Sequence, residues 1–311
     1  MIVKLPVIGQ IAEVDLNERL ASRRPGVKGV WIQTLGCQMN EHDSEIILGM
    51  LKQIGYTRVD DPIDADLILY NTCCVRENPE RKVYGQVGML AELKRRNPEL
   101  VIGICGCMVQ QKAELDRIRE SLEHVDLVFG THNIHRLPEL LHKVKMTGER
   151  VIEVWHEEGD VVEGLPVQRE GKLKGYVTII YGCNEFCTYC IVPYVRGKER
   201  SRRLDQILAE CEALGRDGYK EIMLLGQNVN AYGNDLPGDV NFARLLEAVD
   251  RVPGIERIRF TSPHPKHFTD DVIDVMARAD KVCEHIHLPA QAGSDRTLRR
   301  MGRRYTRDQY L

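Results

Sequence analysis

The chain has no surplus of either charge, no long apolar run and no repeated or low-complexity tract. Lys and Arg total 43 against 46 Asp and Glu, a formal net charge of −3. That balance excludes a non-specific polycation but leaves room for a local basic patch on nucleic acid. No apolar run approaches the ~20 residues a membrane-spanning helix needs, so no membrane partner is expected. Residues 1–27 contain acids and prolines and lack the apolar core of a secretory signal, so the expected compartment is the cytoplasm. No G-x-G-x-x-G follows the first expected strand, where Thr34-Leu35-Gly36-Cys37 stands instead; a nicotinamide-dependent dehydrogenase is thereby set aside. Apolar residues make up 43% of 311. That excludes wholesale disorder and allows two domains at roughly 100–200 residues each.

What the chain does have is cysteine: ten, at positions 37, 73, 74, 105, 107, 183, 187, 190, 211 and 283. In a reducing compartment disulfides are not expected. Core residues, metal ligands and nucleophiles remain.

Residues 28–148 alternate short apolar runs with amphipathic ones. Strands are expected over 29–35, 66–71, 100–104 and 125–129. Helices are expected over 43–54, with Asp43 or Ser44 as cap, and over 79–96, 111–122 and 137–144. This alternation predicts a parallel sheet covered on both faces, a doubly wound flavodoxin- or Rossmann-like domain. Residues 149–171 read as an acidic linker with an edge strand over 150–155. Over 172–311, strands at 176–181, 221–225, 255–261 and 285–288 alternate with helices at 204–216, 242–252 and 270–279 and one opening at 296. The expected class is therefore α/β: a doubly wound domain followed by a partial β/α barrel, since four units, the last unfinished, cannot close an eight-stranded one.

Cys183, Cys187 and Cys190 stand in GCNEFCTYC, directly after a strand, at C-x3-C-x2-C spacing. Three soft thiolates this close suit three irons of a [4Fe–4S] cluster, leaving the fourth open to chelate a substrate or cofactor. A zinc site short of a ligand and a loop of unrelated cysteines are the alternatives. Cys37, Cys73 and Cys107 each follow an expected strand of the first domain. Parallel strands bring their carboxyl ends to one edge, so these three suggest a second metal site; scattered core cysteines are the competing reading. Cys74 adjoins Cys73, and adjacent strand residues face opposite ways. Cys105 and Cys107 share parity, so periodicity does not choose between them. Cys211, within a helical pattern, and Cys283, near a strand, read as small core residues.

Longer motifs carry a resemblance. QTLGCQMNEHDSE, NTCCVRENPERKVYG and CGCMVQ resemble the N-terminal domain of the radical-SAM methylthiotransferases. IIYGCNEFCTYCIVPYVRGKERSR is similar to that family's radical S-adenosylmethionine loop, and LLGQNVNAYG, RFTSPHP and HLPAQAGSDRTLRRMGRRYTRDQYL continue the match. The resemblance implies two [4Fe–4S] clusters, one on Cys37, Cys73 and Cys107 and one on Cys183, Cys187 and Cys190, with Cys74 and Cys105 beside ligands. It implies S-adenosylmethionine on the second cluster's open iron, cleaved by one electron to methionine and a 5′-deoxyadenosyl radical that abstracts hydrogen from carbon 2 of a modified adenine. Sulfur would come from the first cluster and the methyl group from a second S-adenosylmethionine. Tyr189 resembles the family's aromatic near the cofactor adenine. Gln227, Asn228, Ser262 and His264, after the next two strands, are candidate cofactor contacts.

QTLGCQMNEHDSE and PYVRGKERSR favour the branch acting on N(6)-isopentenyladenosine next to the tRNA anticodon. Its relatives modify a ribosomal protein or threonylcarbamoyl-adenosine, and a non-catalytic iron–sulfur RNA-binding protein is a further alternative. Two basic runs are candidate RNA contacts: Arg196, Lys198, Arg200, Arg202 and Arg203; and Arg300, Arg303 and Arg304 with Arg296, Arg299 and Arg307. A solvated helix face is the plainer reading. An electron donor such as flavodoxin or ferredoxin is implied. Family members finish the barrel and add a small RNA-binding β-barrel; this chain ends at Tyr310-Leu311, so a truncated core lacking that domain is expected.

Overall fold

The computed structural model describes Gly26 and residues 28–74 and 77–311. Gly26 apart, the reading of 1–27 falls outside the described residues, as do Val75 and Arg76 of the NTCCVRENPERKVYG motif. The chain divides into two compact units. One ends at His156 and includes Leu165–Gln168; the other comprises Glu157–Gly164 and Arg169–Leu311. The stretch that reads as a linker is thus shared between them.

The first unit is a six-stranded, all-parallel sheet. Its strands are β1 (Lys28–Thr34), β2 (Tyr56–Arg58), β3 (Leu67–Thr72), β4 (Val101–Gly106), β5 (Leu127–Phe129) and β6 (Val151–Glu153), in the order β2-β1-β3-β4-β5-β6. Every residue of β3 and β4 is buried, because helices cover both faces and each side chain must face a helix. Trp31, Ile68, Tyr70, Ile102, Ile104 and Val128 pack on α2 (Glu77–Arg96) and α3 (Lys112–Ser121). Val30, Ile32, Leu69, Val101, Leu127 and Phe129 pack on α1 (Gln38–Gln53) and α4 (Leu137–Thr147). The strand order is that of the flavodoxin-like fold, in which β1 and β3 flank the topological switch point where ligands bind.

Two local expectations change here. Helix α1 begins at Gln38, five residues before the expected 43. Neither Asp43 nor Ser44 caps it; both lie buried within it, because the early polar residues face the strand ends rather than water. The edge strand β2 is too short to carry a pattern of its own.

The second unit holds a parallel sheet in the order β11-β10-β7, with β7 at Lys174–Thr178, β10 at Glu221–Leu225 and β11 at Arg257–Phe260. Helices α6 (Leu204–Arg216), α7 (Phe242–Asp250) and α8 (Asp270–Arg278) cover it, burying Ile207, Cys211 and Leu214, Leu245 and Val249, and Val272 and Val275 in one apolar cluster. The expected strand over 176–181 breaks at Ile179. Its end, β8 (Ile180–Tyr181), instead pairs antiparallel with β9 (Arg200–Ser201), closing the neck of the cysteine loop. A four-residue helix, α5 (Val192–Val195), lies in that loop, and α9 (Asp295–Arg300) and α10 (Arg307–Tyr310) follow later. The expected strand over 285–288 is absent; the fourth parallel partner is reduced to one bridge between Ile258 and Val282. With three strands and a bridge, the barrel is partial. Among the described residues no helix is long and apolar enough to cross a membrane.

Candidate functional site

In the first unit the switch point is built from the residues just past β1, β3 and β4. Gly36 has φ +108°, and a Cβ there would lie 2.7 Å from Cys73 Sγ. The backbone leading to Cys37 passes this close to Cys73 only because residue 36 has no side chain. Gly106 has φ +93°, and a Cβ there would lie 2.6 Å from Asn71 Oδ1. This turn separates the two cysteines that periodicity could not. Cys105 remains in β4 inside the apolar cluster under α1 and α4, whereas Cys107 lies beyond the strand end, its N–H donating to Thr72 O at 2.9 Å.

A buried polar network ties these ends together. The Asn40 amide donates to Leu35 O at 2.8 Å and Thr72 O at 2.9 Å, and Cys107 Sγ lies 3.8 Å from Asn40 Oδ1. Asn71 donates to Asn40 O at 2.8 Å and to Ser44 Oγ at 2.9 Å, and Ser44 Oγ meets Thr34 Oγ1 at 2.7 Å. Sequence reasoning missed Asn40, Ser44 and Asn71. The signal was there: QMNEHDSE is polar where a helix lying on a sheet should be apolar.

In the second unit, Cys183, Cys187 and Cys190 lie in the loop after β8. Cys183 N–H donates to Gly197 O at 3.1 Å and Cys190 N–H to Cys187 O at 2.9 Å. Burial pushes the Cys183 thiol up to about 12, so binding iron there must expel its proton. Between the first two cysteines, buried Glu185 accepts from His267 Nε2 at 2.7 Å and Lys266 Nζ at 2.9 Å. Burial raises its carboxyl, but these donors overcome that and hold it at about 2. Glu185 thereby pins the cysteine loop to the segment after β11.

The other expected contacts lie near this loop. Tyr189 is half exposed. Gln227 Oε1 accepts from Gly182 N at 2.6 Å. Asn228 Nδ2 donates to Glu199 Oε1 at 3.0 Å, and the loops after β10 and β11 are joined by His264 N–H donating to Asn230 Oδ1 at 2.8 Å. Ser262 is exposed and has a left-handed backbone, φ +61°, a strained conformation for a non-glycine residue. Burial and the Arg303 charge push the His264 imidazole down to about 4. Its Nδ1 accepts from Lys266 N–H at 3.2 Å, so the neutral ring carries its proton on Nε2. That Nε2, with Asn228 Oδ1 and Glu185 Oε2, is buried without a hydrogen-bond partner. One orphaned donor and two orphaned acceptors suit a small ligand bearing both amino and carboxylate groups. Among the described residues no three His, Cys, Asp or Glu side chains are gathered for a single metal ion. A cubane cluster does not require that, because each thiolate binds its own iron.

The basic runs divide. Arg196 and Arg202 are buried. Arg202 donates to Glu163 and Glu210 at 2.7 Å each and to Thr178 O at 2.8 Å, so it holds the unit together and is closed to a phosphate. Arg200 is committed to Gly159 O at 2.7 Å and Arg196 O at 3.2 Å, and Arg203 pairs with Asp205 at 2.8 Å. Arg303 points inward, its Nη1 3.3 Å from Cys187 Sγ. Lys198, Arg296, Arg299, Arg300, Arg304 and Arg307 are exposed.

Residues 177–311, which carry the three-cysteine loop on a parallel α/β core, match the Radical SAM superfamily. Residues 29–130 match uncharacterized protein family UPF0004. The chain is 52% identical over 297 residues to the tRNA-2-methylthio-N(6)-dimethylallyladenosine synthase of Acetivibrio thermocellus, covering 96% of this chain and 62% of that protein. It is 55% identical over 281 residues to the synthase of the same name from Clostridium tetani, covering 90% of this chain and 62% of that one. It thus spans about three-fifths of these relatives. Among solved structures, the Kitasatospora setae radical S-adenosylmethionine methyltransferase TsrM, with tryptophan and a cofactor analogue bound, aligns with a TM-score of 0.60 at 13% identity, covering 91% of this chain and 64% of that one. The cobalamin-dependent radical enzyme OxsB aligns at 0.57 and 14%, covering 92% and 47%. These two likenesses are of fold alone. The chain thus joins a UPF0004 region to a Radical SAM region and is similar over most of its own length to these synthases. The cofactors of such a chain are [4Fe–4S] clusters and S-adenosylmethionine.

Proposed function

We propose that this protein, in the cytoplasm, transfers a methylthio group to carbon 2 of N(6)-dimethylallyladenosine in tRNA. The observation that carries the reading is a pair of thiol triads, Cys37/Cys73/Cys107 at the switch point of one unit and Cys183/Cys187/Cys190 in the loop of the other. They stand in a chain more than half identical to synthases named for this product. In this reading each triad holds three irons of a [4Fe–4S] cluster. The bound clusters and S-adenosylmethionine supply radical formation, sulfur and methyl. The chain itself binds, orients and excludes water. Glu185 holds the loop in place through Lys266 and His267. Tyr189 would stack on the cofactor's adenine, and Gln227, Asn228, Ser262 and His264 would hold its polar groups, neutral His264 offering its Nε2 proton to an acceptor. Lys198, Arg300 and Arg304, with Arg296 and Arg299, meet tRNA phosphates near the anticodon; a flavodoxin- or ferredoxin-type donor provides the electron.

Iron and acid-labile sulfide after anaerobic reconstitution test the cluster half: ~8 irons per chain, falling to ~4 when Cys183, Cys187 and Cys190 are all changed to Ala. Nucleoside mass analysis of tRNA from a strain lacking the activity, complemented by the gene, tests the substrate. Methylthiolation of a ribosomal peptide in place of tRNA would overturn it.

A further inference from the structure

We propose that Arg303 tunes the cluster of the second unit. Its guanidinium hydrogen-bonds the Cys187 sulfur and raises the reduction potential of the cluster on Cys183, Cys187 and Cys190. This rests on the reading of those three cysteines as ligands.

In the sequence Arg303 is one of a run of surface arginines. In the structure Arg300 and Arg304 are exposed, while Arg303 is half buried with Nη1 3.3 Å from Cys187 Sγ. The side chain is held there from several sides. Its Nε donates to Tyr305 Oη at 3.3 Å, and that hydroxyl donates to Ala290 O at 2.8 Å. The guanidinium lies 5.1 Å from the centre of the Tyr305 ring, and the ring packs edge-on against His264 at 5.6 Å. The preceding segment is stitched to the cysteine loop by Thr188 N–H donating to Met301 O at 3.0 Å and Thr188 Oγ1 to Arg300 O at 3.3 Å. An aromatic platform, a hydroxyl and a backbone tie thus aim one permanent cation at one sulfur.

The electrostatic consequence has a definite sign. Reduction adds a negative charge that spreads onto the ligand sulfurs. A charged N–H donor on such a sulfur is stronger in the reduced state than in the oxidised one, so it raises the potential. Partial burial limits screening of the interaction by solvent and salt. Arg303 would ease acceptance of an electron from the donor.

The test is a redox titration followed by electron paramagnetic resonance, without S-adenosylmethionine. It uses the full chain carrying Cys37→Ala, Cys73→Ala and Cys107→Ala, so that one cluster remains. Arg303→Met should lower the reduced-to-oxidised ratio at a fixed potential about tenfold, a shift of about 59 mV for one electron. Arg303→Lys, which keeps the charge but loses the planar fork, should shift less. A loaded Arg303→Met with the parent's potential overturns the proposal and leaves the cysteine assignment standing. The same potential with weakened S-adenosylmethionine binding overturns it too, assigning Arg303 to the cofactor's carboxylate. If the Met variant loses its iron, Arg303→Gln, which removes the charge, decides, and a parental potential there overturns the proposal. A parent holding no iron at this loop sinks the cysteine assignment itself.

Discussion

Asn40 works with both ends of its carboxamide where the segments after β1, β3 and β4 meet. Its donors close the carbonyls of Leu35 and Thr72, and its oxygen faces Cys107. Asn40→Ala would take the side-chain donor from Leu35 O and leave Thr72 O with the Cys107 N–H alone, at about 1–3 kcal/mol for the group left unpaired. The expected outcome is a lower urea midpoint for the first unit and iron loss confined to one cluster, read by denaturation and iron assay; full iron retention would show that the thiols keep their geometry without it. Tyr56 tests burial alone. Its hydroxyl is buried without a partner, and burial pushes it up to about 12. With the folded value above the unfolded ~10, its contribution is complete below pH 10 and is lost as pH rises through 12. Tyr56→Phe should therefore flatten the decline of stability between pH 10 and 12 with little change at pH 7, measured by denaturation at each pH.

At the scale of elements, the turn after β4 and the clasp around Arg202 carry the most consequence. Gly106→Ala would force a Cβ against Asn71 in a backbone conformation that L residues rarely adopt. Loss of the Cys107 cluster is expected from iron analysis, with the other cluster retained. Arg202→Ala would leave Glu163 without its arginine and Glu210 with Arg169 alone. Breaking a buried pair this way costs roughly 3–5 kcal/mol, so thermal stability should fall steeply, whereas an RNA-contact role would lower affinity alone. The elements themselves were largely legible. Helix α6 and strand β10 fall where the apolar pattern put them, because α6 buries one periodic face and β10 is a short apolar run buried on both sides. Helix α1 was misjudged at its start because Asn40, Asp43 and Ser44 are buried polar residues, which a hydrophobic pattern reads as outside a helix. The segment at 285–288 has strand-like residues but lacks the continuous neighbour that would pair its backbone.

Across the whole molecule the near-neutral net charge of −3 hides an uneven distribution, for several arginines are consumed internally and others reach solvent. Arg300→Ala with Arg304→Ala should reduce the slope of log affinity against log salt for an anticodon stem-loop by about 0.7 for each phosphate no longer neutralised. Stability should change by no more than about 0.5 kcal/mol. An unchanged slope would return these residues to the solvated surface. The sequence by itself determined the α/β alternation and the close C-x3-C-x2-C spacing, because both are local: periodicity records which way neighbouring side chains face. Only the tertiary structure decided that Gly106 separates Cys107 from the core-bound Cys105, that Asn40 joins three chain segments, and that Arg202 and Arg303 turn inward while Arg300 and Arg304 do not. Those outcomes depend on partners dozens of residues away, and no local pattern carries the identity of a distant partner.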